Sequence, residues 1–267
     1  MKNTILTIEK YSAWIISFLL SLISIATFIY FYQNGLGLAY NDARSHLDIG
    51  RRVVENLNPG AAQLGSVWLP LTHLLMVVTI WNDFMWHSGL AGALWSMLSF
   101  VATGVLIALF LKELGVGLLG RLVGVAIFVA NINILYLQST AMTELTLLGT
   151  MTAGAYYLLR WFKSENPLYL IYSAFFIMLA TLVRYDAWFM FFFAAVIITL
   201  YTFKKYDYQK AEGTFILFCT LAGLGVVLWL FWNLLIFKDP LYFAFGPYSA
   251  HRQQDQLEAS GVLPNNG

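Results

Sequence analysis

Twenty consecutive residues, 13–32, carry no charged side chain. A run of that length is what an α-helix needs to cross a hydrocarbon core about 30 Å thick. Apolar runs return at residues 89–111, 118–138, 145–162, 168–183, 187–203 and 213–237, broken by a charge only at Arg121 and Arg160, and the fourth to sixth lie near the lower length limit for crossing. Continuous apolarity predicts helices, because the strands of a membrane barrel alternate apolar and polar residues. Hydrophobic residues make up 60% of the chain and charged ones 11%, against roughly 25% charged in soluble domains. One water-soluble core of this size has no room for so many apolar runs. The expected fold is an all-α polytopic membrane protein with about seven transmembrane helices, a single membrane-embedded domain over residues 1–267.

Lys2 and Lys10 precede the first run in the manner of a signal peptide. The run is too long for such a segment and ends in Phe31-Tyr32-Gln33-Asn34 with no small-residue cleavage site, so it reads as an uncleaved first span. With the N-terminus in the cytoplasm, nine of the fifteen basic residues fall in four short inner segments: Lys2, Lys10, Lys112, Arg121, Arg160, Lys163, Lys204, Lys205 and Lys210. Positive charge favours that side, which predicts a multi-pass plasma-membrane protein. Seven crossings then put the loop 33–88, the turn at Glu144, the turn Arg184-Tyr185-Asp186 and the tail after Lys238 together on the outer face. Net charge is +1 and suggests no nucleic-acid partner; the single cysteine, Cys219, offers neither a disulfide nor a thiolate metal site.

The first outer loop holds the most informative polar sequence. Residues 42–56 read as a short amphipathic helix, with Ala43, Leu47, Val54 and Leu57 at helical spacing and Asn58-Pro59-Gly60 as its stop. Residues 67–81 read as an interfacial or re-entrant segment anchored at headgroup depth by Trp68, Trp81 and Trp86. Asp42, at the start of the loop helix, suits a general base toward an acceptor hydroxyl or a metal ligand, and equally suits a helix N-cap. Arg44, Arg51 and Arg52 share that helix. Arg51 with Glu55, and Asp48 with Arg51 and Arg52, have the spacing of helix-surface pairs, while a guanidinium at the membrane surface also suits a phosphate.

Glu144 follows Ser139-Thr140-Ala141-Met142-Thr143 and reads either as an acid at a helix N-terminus capped by Thr143 or Ser139, or as a second carboxylate facing Asp42. Arg184 and Asp186 interrupt apolar sequence at a span boundary, where ionisable groups face a partner or a watery cavity. They read as a local ion pair or as site residues. His46 and His73 read first as ordinary hydrogen-bonded side chains. No HExxH, Gly-rich phosphate loop, nucleophile elbow or kinase motif occurs.

Four segments in order carry a resemblance. They are Tyr40-Asn41-Asp42-Ala43-Arg44-Ser45-His46-Leu47, the stretch Gln63-Leu64-Gly65-Ser66-Val67-Trp68-Leu69-Pro70-Leu71-Thr72-His73, then Gln138-Ser139-Thr140-Ala141-Met142-Thr143-Glu144, and Thr181-Leu182-Val183-Arg184-Tyr185-Asp186. The set resembles the type C membrane glycosyltransferases (GT-C), in particular members similar to protein O-mannosyltransferases and the lipid A aminoarabinose transferase, over nearly the whole chain. The resemblance implies a cell-envelope transferase that moves a sugar from a polyprenyl-phosphate carrier to a lipid, glycan or protein acceptor. Asp42 would activate the acceptor, with Glu144 as a second catalytic carboxylate; Arg52, Arg184, Asp186 and His73 would bind substrate. Many members carry two adjacent loop acids where Ala43 follows Asp42 here, which leaves a divalent metal ion open as a cofactor.

Two other classes compete. A transporter or channel would place broken helices and ionisable residues near the midplane, whereas all six prolines lie outside the drawn spans. A non-catalytic membrane assembly subunit would leave Asp42 as a cap. The polar tail running to Pro264-Asn265-Asn266-Gly267 without a closing span suggests the N-terminal part of a larger GT-C-type fold.

Overall fold

The computed structural model describes residues 2–261, with side chains from residue 11 onward. The side chains of Lys2 and Lys10 and the stop at 264–267 lie outside the described residues. Among those described, the fold is all-helical with no strand. The helices are α1 (Lys2–Gln33), α2 (Asn41–Val54), α3 (Leu71–Met76), α4 (Asp83–His87), α5 (Leu90–Glu113), α6 (Leu118–Val129), α7 (Ile132–Gln138), α8 (Glu144–Ser164), α9 (Pro167–Thr181), α10 (Asp186–Lys205), α11 (Tyr208–Phe237), α12 (Tyr242–Phe245) and α13 (Ala250–Ala259).

Four helices are long and apolar enough to cross a membrane: α1 over Tyr11–Gln33, α5, α10 and α11. Each buries only 22–28% of its most apolar window inside the protein. Phe18, Leu22, Phe189, Phe192, Leu200, Val227 and Phe231 point outward, an apolar surface of the kind a bilayer covers. Helices α6 and α7 together make a fifth candidate, bent by 70° at their junction. The expectation of one straight helix over 118–138 fails at Asn131, whose side chain accepts from the Asn133 N–H at 3.0 Å and starts a new helix. Of the remaining runs, α8 has 21 residues but carries Glu144, Arg160 and Lys163, and α9 is apolar but only 15 residues long.

Local signals explain where the helices begin. Asn166 accepts from Leu168 N–H at 3.0 Å with Pro167 in the first turn, and Asp207 accepts from Lys210 N–H at 2.8 Å. Packing then selects small residues where helices cross, because lipid gives apolar helices little reason to associate. A Cβ on Gly225 of α11 would stand 2.3 Å from Thr181 Oγ1 and 2.7 Å from the Met178 carbonyl oxygen of α9. Trp161, Leu170, Ile177, Ile198 and Phe218 fill the core among α8–α11. A second core joins Ile16 and Leu20 of α1 to Phe100 of α5 and Leu145 of α8.

The two ends of the bundle differ. At one end Glu113, closing α5, meets Arg160 at 3.6 Å and Lys163 at 3.7 Å from α8. There too Glu165 pairs with Lys205 and Tyr206, and the Arg160 guanidinium lies 4.1 Å over the Tyr169 ring. The other end carries α2–α4 and α12–α13. Amphipathic α2 packs Ala43 and Leu47 against Met76, Ile80, Ala91, Ala141 and Met142, so it caps protein rather than floating free. It stops at Val54, two residues short of the expected Asn56, and Leu57 is 97% exposed instead of continuing the apolar face. Of the expected tryptophan anchors only Trp81 is exposed; Trp68 meets the His46 ring at a tilt and Trp86 lies under Arg51.

Candidate functional site

Tertiary bonds lock the segment 65–71 onto the helix ends at the α2 end. Trp232 Nε1 donates to the Gly65 carbonyl at 3.2 Å, the Tyr185 hydroxyl to the Val67 carbonyl at 3.0 Å, and Leu71 N–H to the Leu182 carbonyl at 3.0 Å. Tyr185 also accepts from Trp229 Nε1 at 3.1 Å. Burial pushes the Tyr185 phenol upward, so it stays a donor at neutral pH. Across the bundle, Ser96 Oγ donates to the Met142 carbonyl at 2.9 Å and fixes the turn before α8.

These constraints enclose a cavity of about 450 Å³. Asp42 and His46 line it from α2, Val67–Leu69 from the locked segment, Thr143 and Glu144 from the start of α8, and Arg184 and Asp186 from the α9–α10 turn. Four of the six sequence-derived site residues, Asp42, Glu144, Arg184 and Asp186, therefore share one wall-to-wall space, although 144 positions separate the first from the last.

Arg184 organises it. Its Nη1 stands 3.0 Å from Glu144 Oε1, its Nε 2.9 Å from Asp186 Oδ2, and Nη1 also donates to Thr143 Oγ1 at 3.4 Å. The local Arg184–Asp186 pair read from the sequence is present, and Glu144 joins it. Thr143, expected as a possible cap of α8, makes no capping bond; its hydroxyl serves Arg184 instead. Glu144 Oε2 is buried without a hydrogen-bond partner, and such orphaned acceptors are uncommon. The Asp42 carboxylate is exposed and has no protein partner among the described residues. It does not cap α2 either, since the helix begins at Asn41 behind Tyr40. Three carboxylates against one guanidinium give the cavity a formal charge of −2 with His46 neutral.

The other two site residues lie elsewhere. His73 is 0% exposed and does not line the cavity, because α3 sits beneath α2; it meets His46 ring to ring, Nε2 to Nδ1 at 2.9 Å. Burial first, then the Arg184 charge, lowers the His46 pKa to about 4; burial and the neighbouring His46 lower that of His73 to about 3. Arg52 lines a second cavity of about 530 Å³ with Gln63, Ser66, Tyr242, Tyr248 and Gln253, and Val67 and Trp68 line both spaces. Arg52 makes no ion pair among the described residues.

Arg51 belongs to the scaffold. It pairs with Glu55 as its spacing predicts, with Asp83 at 2.7 Å, and donates to the Ile80 carbonyl at 2.8 Å. Asp48, expected to pair with Arg51 or Arg52, instead accepts from Trp86 Nε1 at 3.3 Å. Gln138, in the third resembling segment, is fully buried and bonds Ser24 and Thr27 of α1. His46, read from the sequence as an ordinary hydrogen-bonded side chain, makes such a bond and also lines the cavity with Trp68. Their contact with each other, at 4.5 Å between ring centroids, spans 22 positions and leaves no periodic signal.

Among the described residues no three His, Cys, Asp or Glu side chains gather to hold a metal ion. Chemically, the cavity offers unpaired carboxylate oxygens to a hydroxyl or ammonium group, and the neighbouring space offers a free guanidinium to an anion. Comparison with known proteins gives no match to any family model, curated protein or solved structure.

Proposed function

We propose that the chain is a glycosyltransferase of the GT-C kind, crossing the plasma membrane seven times from a cytoplasmic N-terminus and working at the outer face. The observation that carries this reading is the meeting of Asp42, Glu144, Arg184 and Asp186, from three separate segments, in one cavity beside a second that holds Arg52. Alternating crossings bring the start of α8, the α9–α10 turn and the end of α11 to one end, which is the arrangement a surface-facing site requires. The ionisable groups stand at helix ends rather than at mid-span, which favours a surface enzyme over a transporter.

The charge of each cavity divides the labour. A phosphate is repelled by a formal −2 and is better met by Arg52, flanked by Gln63 and Gln253. The sugar of a polyprenyl-phosphate donor then reaches past Trp68 into the acidic cavity. There the acceptor attacks the anomeric carbon, its proton passes to Asp42, and the sugar–phosphate C–O bond breaks with the electron pair leaving on polyprenyl phosphate. Arg52 stabilises the charge that grows on that leaving group. Glu144 Oε2 supplies a hydrogen-bond acceptor for a sugar or acceptor hydroxyl.

The test is transfer from a panel of polyprenyl-phosphate hexoses by the chain in lipid vesicles. Asp42→Asn should lower the rate by about 10²–10⁴, the usual worth of general base catalysis. The variant should stay folded, because the carboxylate supports no other group. Wild-type rates in Asp42→Asn would remove the base from this account.

A further inference from the structure

Resting on the transferase reading for its chemistry, we infer that Trp68 is the specificity-determining residue for the donor: its indole, set in the wall common to the two cavities, receives the C–H face of the donor's pyranose ring.

Position comes first. Of the residues around the Arg52 cavity and the acidic cavity, Val67 and Trp68 are the ones that line both. Val67 brings a small aliphatic side chain and a carbonyl that already accepts from the Tyr185 hydroxyl at 3.0 Å. Trp68 supplies the broad surface at the junction. The bond broken in the transfer joins the phosphate to the anomeric carbon. With the phosphate on Arg52 and the base at Asp42, the sugar ring lies between them, against this wall.

The wall is rigid before any ligand arrives. On one side of Trp68 the Gly65 and Val67 carbonyls are bonded to Trp232 and Tyr185, and on the other Leu71 N–H donates to the Leu182 carbonyl at 3.0 Å. Leu69, next along, is buried, whereas Trp68 is half-buried. The His46 ring backs the indole at 4.5 Å between centroids with a tilt of 43°. A side chain held in this way loses little freedom on binding. Four other tryptophans, Trp86, Trp188, Trp229 and Trp232, give their indole N–H to Asp48, Thr181, Tyr185 and Gly65. Trp68 Nε1 has no such partner among the described residues, which leaves a donor for a ring or hydroxyl oxygen of a ligand.

A pyranose carries its hydroxyls around the edge and C–H bonds on its faces. Those hydrogens bear partial positive charge and suit the electron-rich face of an indole. The hydroxyls at the edge then reach Gln63 on one side of the wall and Glu144 on the other. An aliphatic side chain of similar bulk offers burial without that face. Trp68 thereby distinguishes a sugar-loaded carrier from a bare one, while Arg52 holds the phosphate of either.

The experiment measures the affinity of the full chain in nanodiscs for two probes. One is a polyprenyl-phosphate neutral hexose; the other is the same lipid phosphate bearing a methyl group in place of the sugar, which keeps the phosphodiester charge. Trp68→Leu should weaken the hexose probe about tenfold, the scale of one aromatic contact, and leave the methyl probe nearly unchanged. Trp68→Phe, which keeps a ring, should recover most of that loss, and Arg52→Gln should weaken both probes alike. Equal weakening of both probes by Trp68→Leu, or weakening of neither, would overturn the inference. So would a Trp68→Phe chain that binds the hexose probe no better than Trp68→Leu. Sugar transfer is measured apart from binding. A wild type that reads the hexose through Trp68 yet transfers nothing would sink the transferase reading and leave this one standing; a wild type that binds neither probe would sink both.

Discussion

Acidification from pH 7.5 to pH 5 should destabilise this protein through one pair of side chains. In the folded chain His46 and His73 bind protons only near pH 4 and pH 3, whereas an unfolded histidine binds one near 6.5. Between these values the unfolded state holds more protons, so stability is complete above about pH 6.5 and falls as the pH drops toward the folded values. At pH 5 the unfolded form gains about 2 kcal/mol per histidine, about 4 kcal/mol for the pair. That figure depends almost wholly on the unfolded pKa, because both folded values lie below 5. The assay is denaturant unfolding in detergent, followed by tryptophan fluorescence, of the wild type and of the double variant His46→Leu/His73→Leu. Removing both rings strands neither partner. The wild type should lose about 4 kcal/mol between the two pH values, and the double variant should lack this loss. Equal losses in both proteins would refute the assignment of the acid sensitivity to this pair.

Gly225→Val should cost about 1–3 kcal/mol of stability, the usual effect of overpacking, since even a methyl group meets Thr181 and the Met178 carbonyl; unchanged resistance to denaturant would contradict the close α9–α11 crossing. With Cys219 replaced, a cysteine at Asn58 should react with a membrane-impermeant thiol reagent on intact cells and one at Gln209 should not; the reverse pattern would invert the orientation. Arg52→Gln should raise the donor KM at least tenfold with little change for the acceptor, and an effect confined to the acceptor would move the phosphate out of the Arg52 cavity.

The apolar runs made the long helices legible, because hydropathy over twenty residues records what a bilayer demands of each helix separately. The loop helix was legible too: Ala43 and Leu47 keep helical spacing and both are buried. The grouping of Asp42, Glu144, Arg184 and Asp186 followed from counting crossings, a topological argument that needs no contact information. What the sequence withheld are bonds between distant segments. The His46–His73 contact spans 27 positions and the Tyr185–Val67 bond 118; neither leaves a trace in periodicity. The bend at Asn131 was missed for another reason. One asparagine hardly changes average hydropathy, yet its side chain takes an N–H that a continuous helix would not share.

The ion pairs of Glu113 and Glu165 give the bundle a mechanical asymmetry. They tether the tips of α5, α8 and α10 at the end remote from both cavities, as a rivet holds the sticks of a fan. Helix α11, which starts just after the tethered end of α10, has 30 residues and is about 45 Å long, so a tilt of about 5° about its start would displace its far tip by roughly 4 Å. That far tip bears Trp229 and Trp232, whose indoles hold Tyr185 and Gly65 beside the partition between the two cavities. A tilt of that size would be felt at Trp68, which lines both cavities, and not at the ion-paired end.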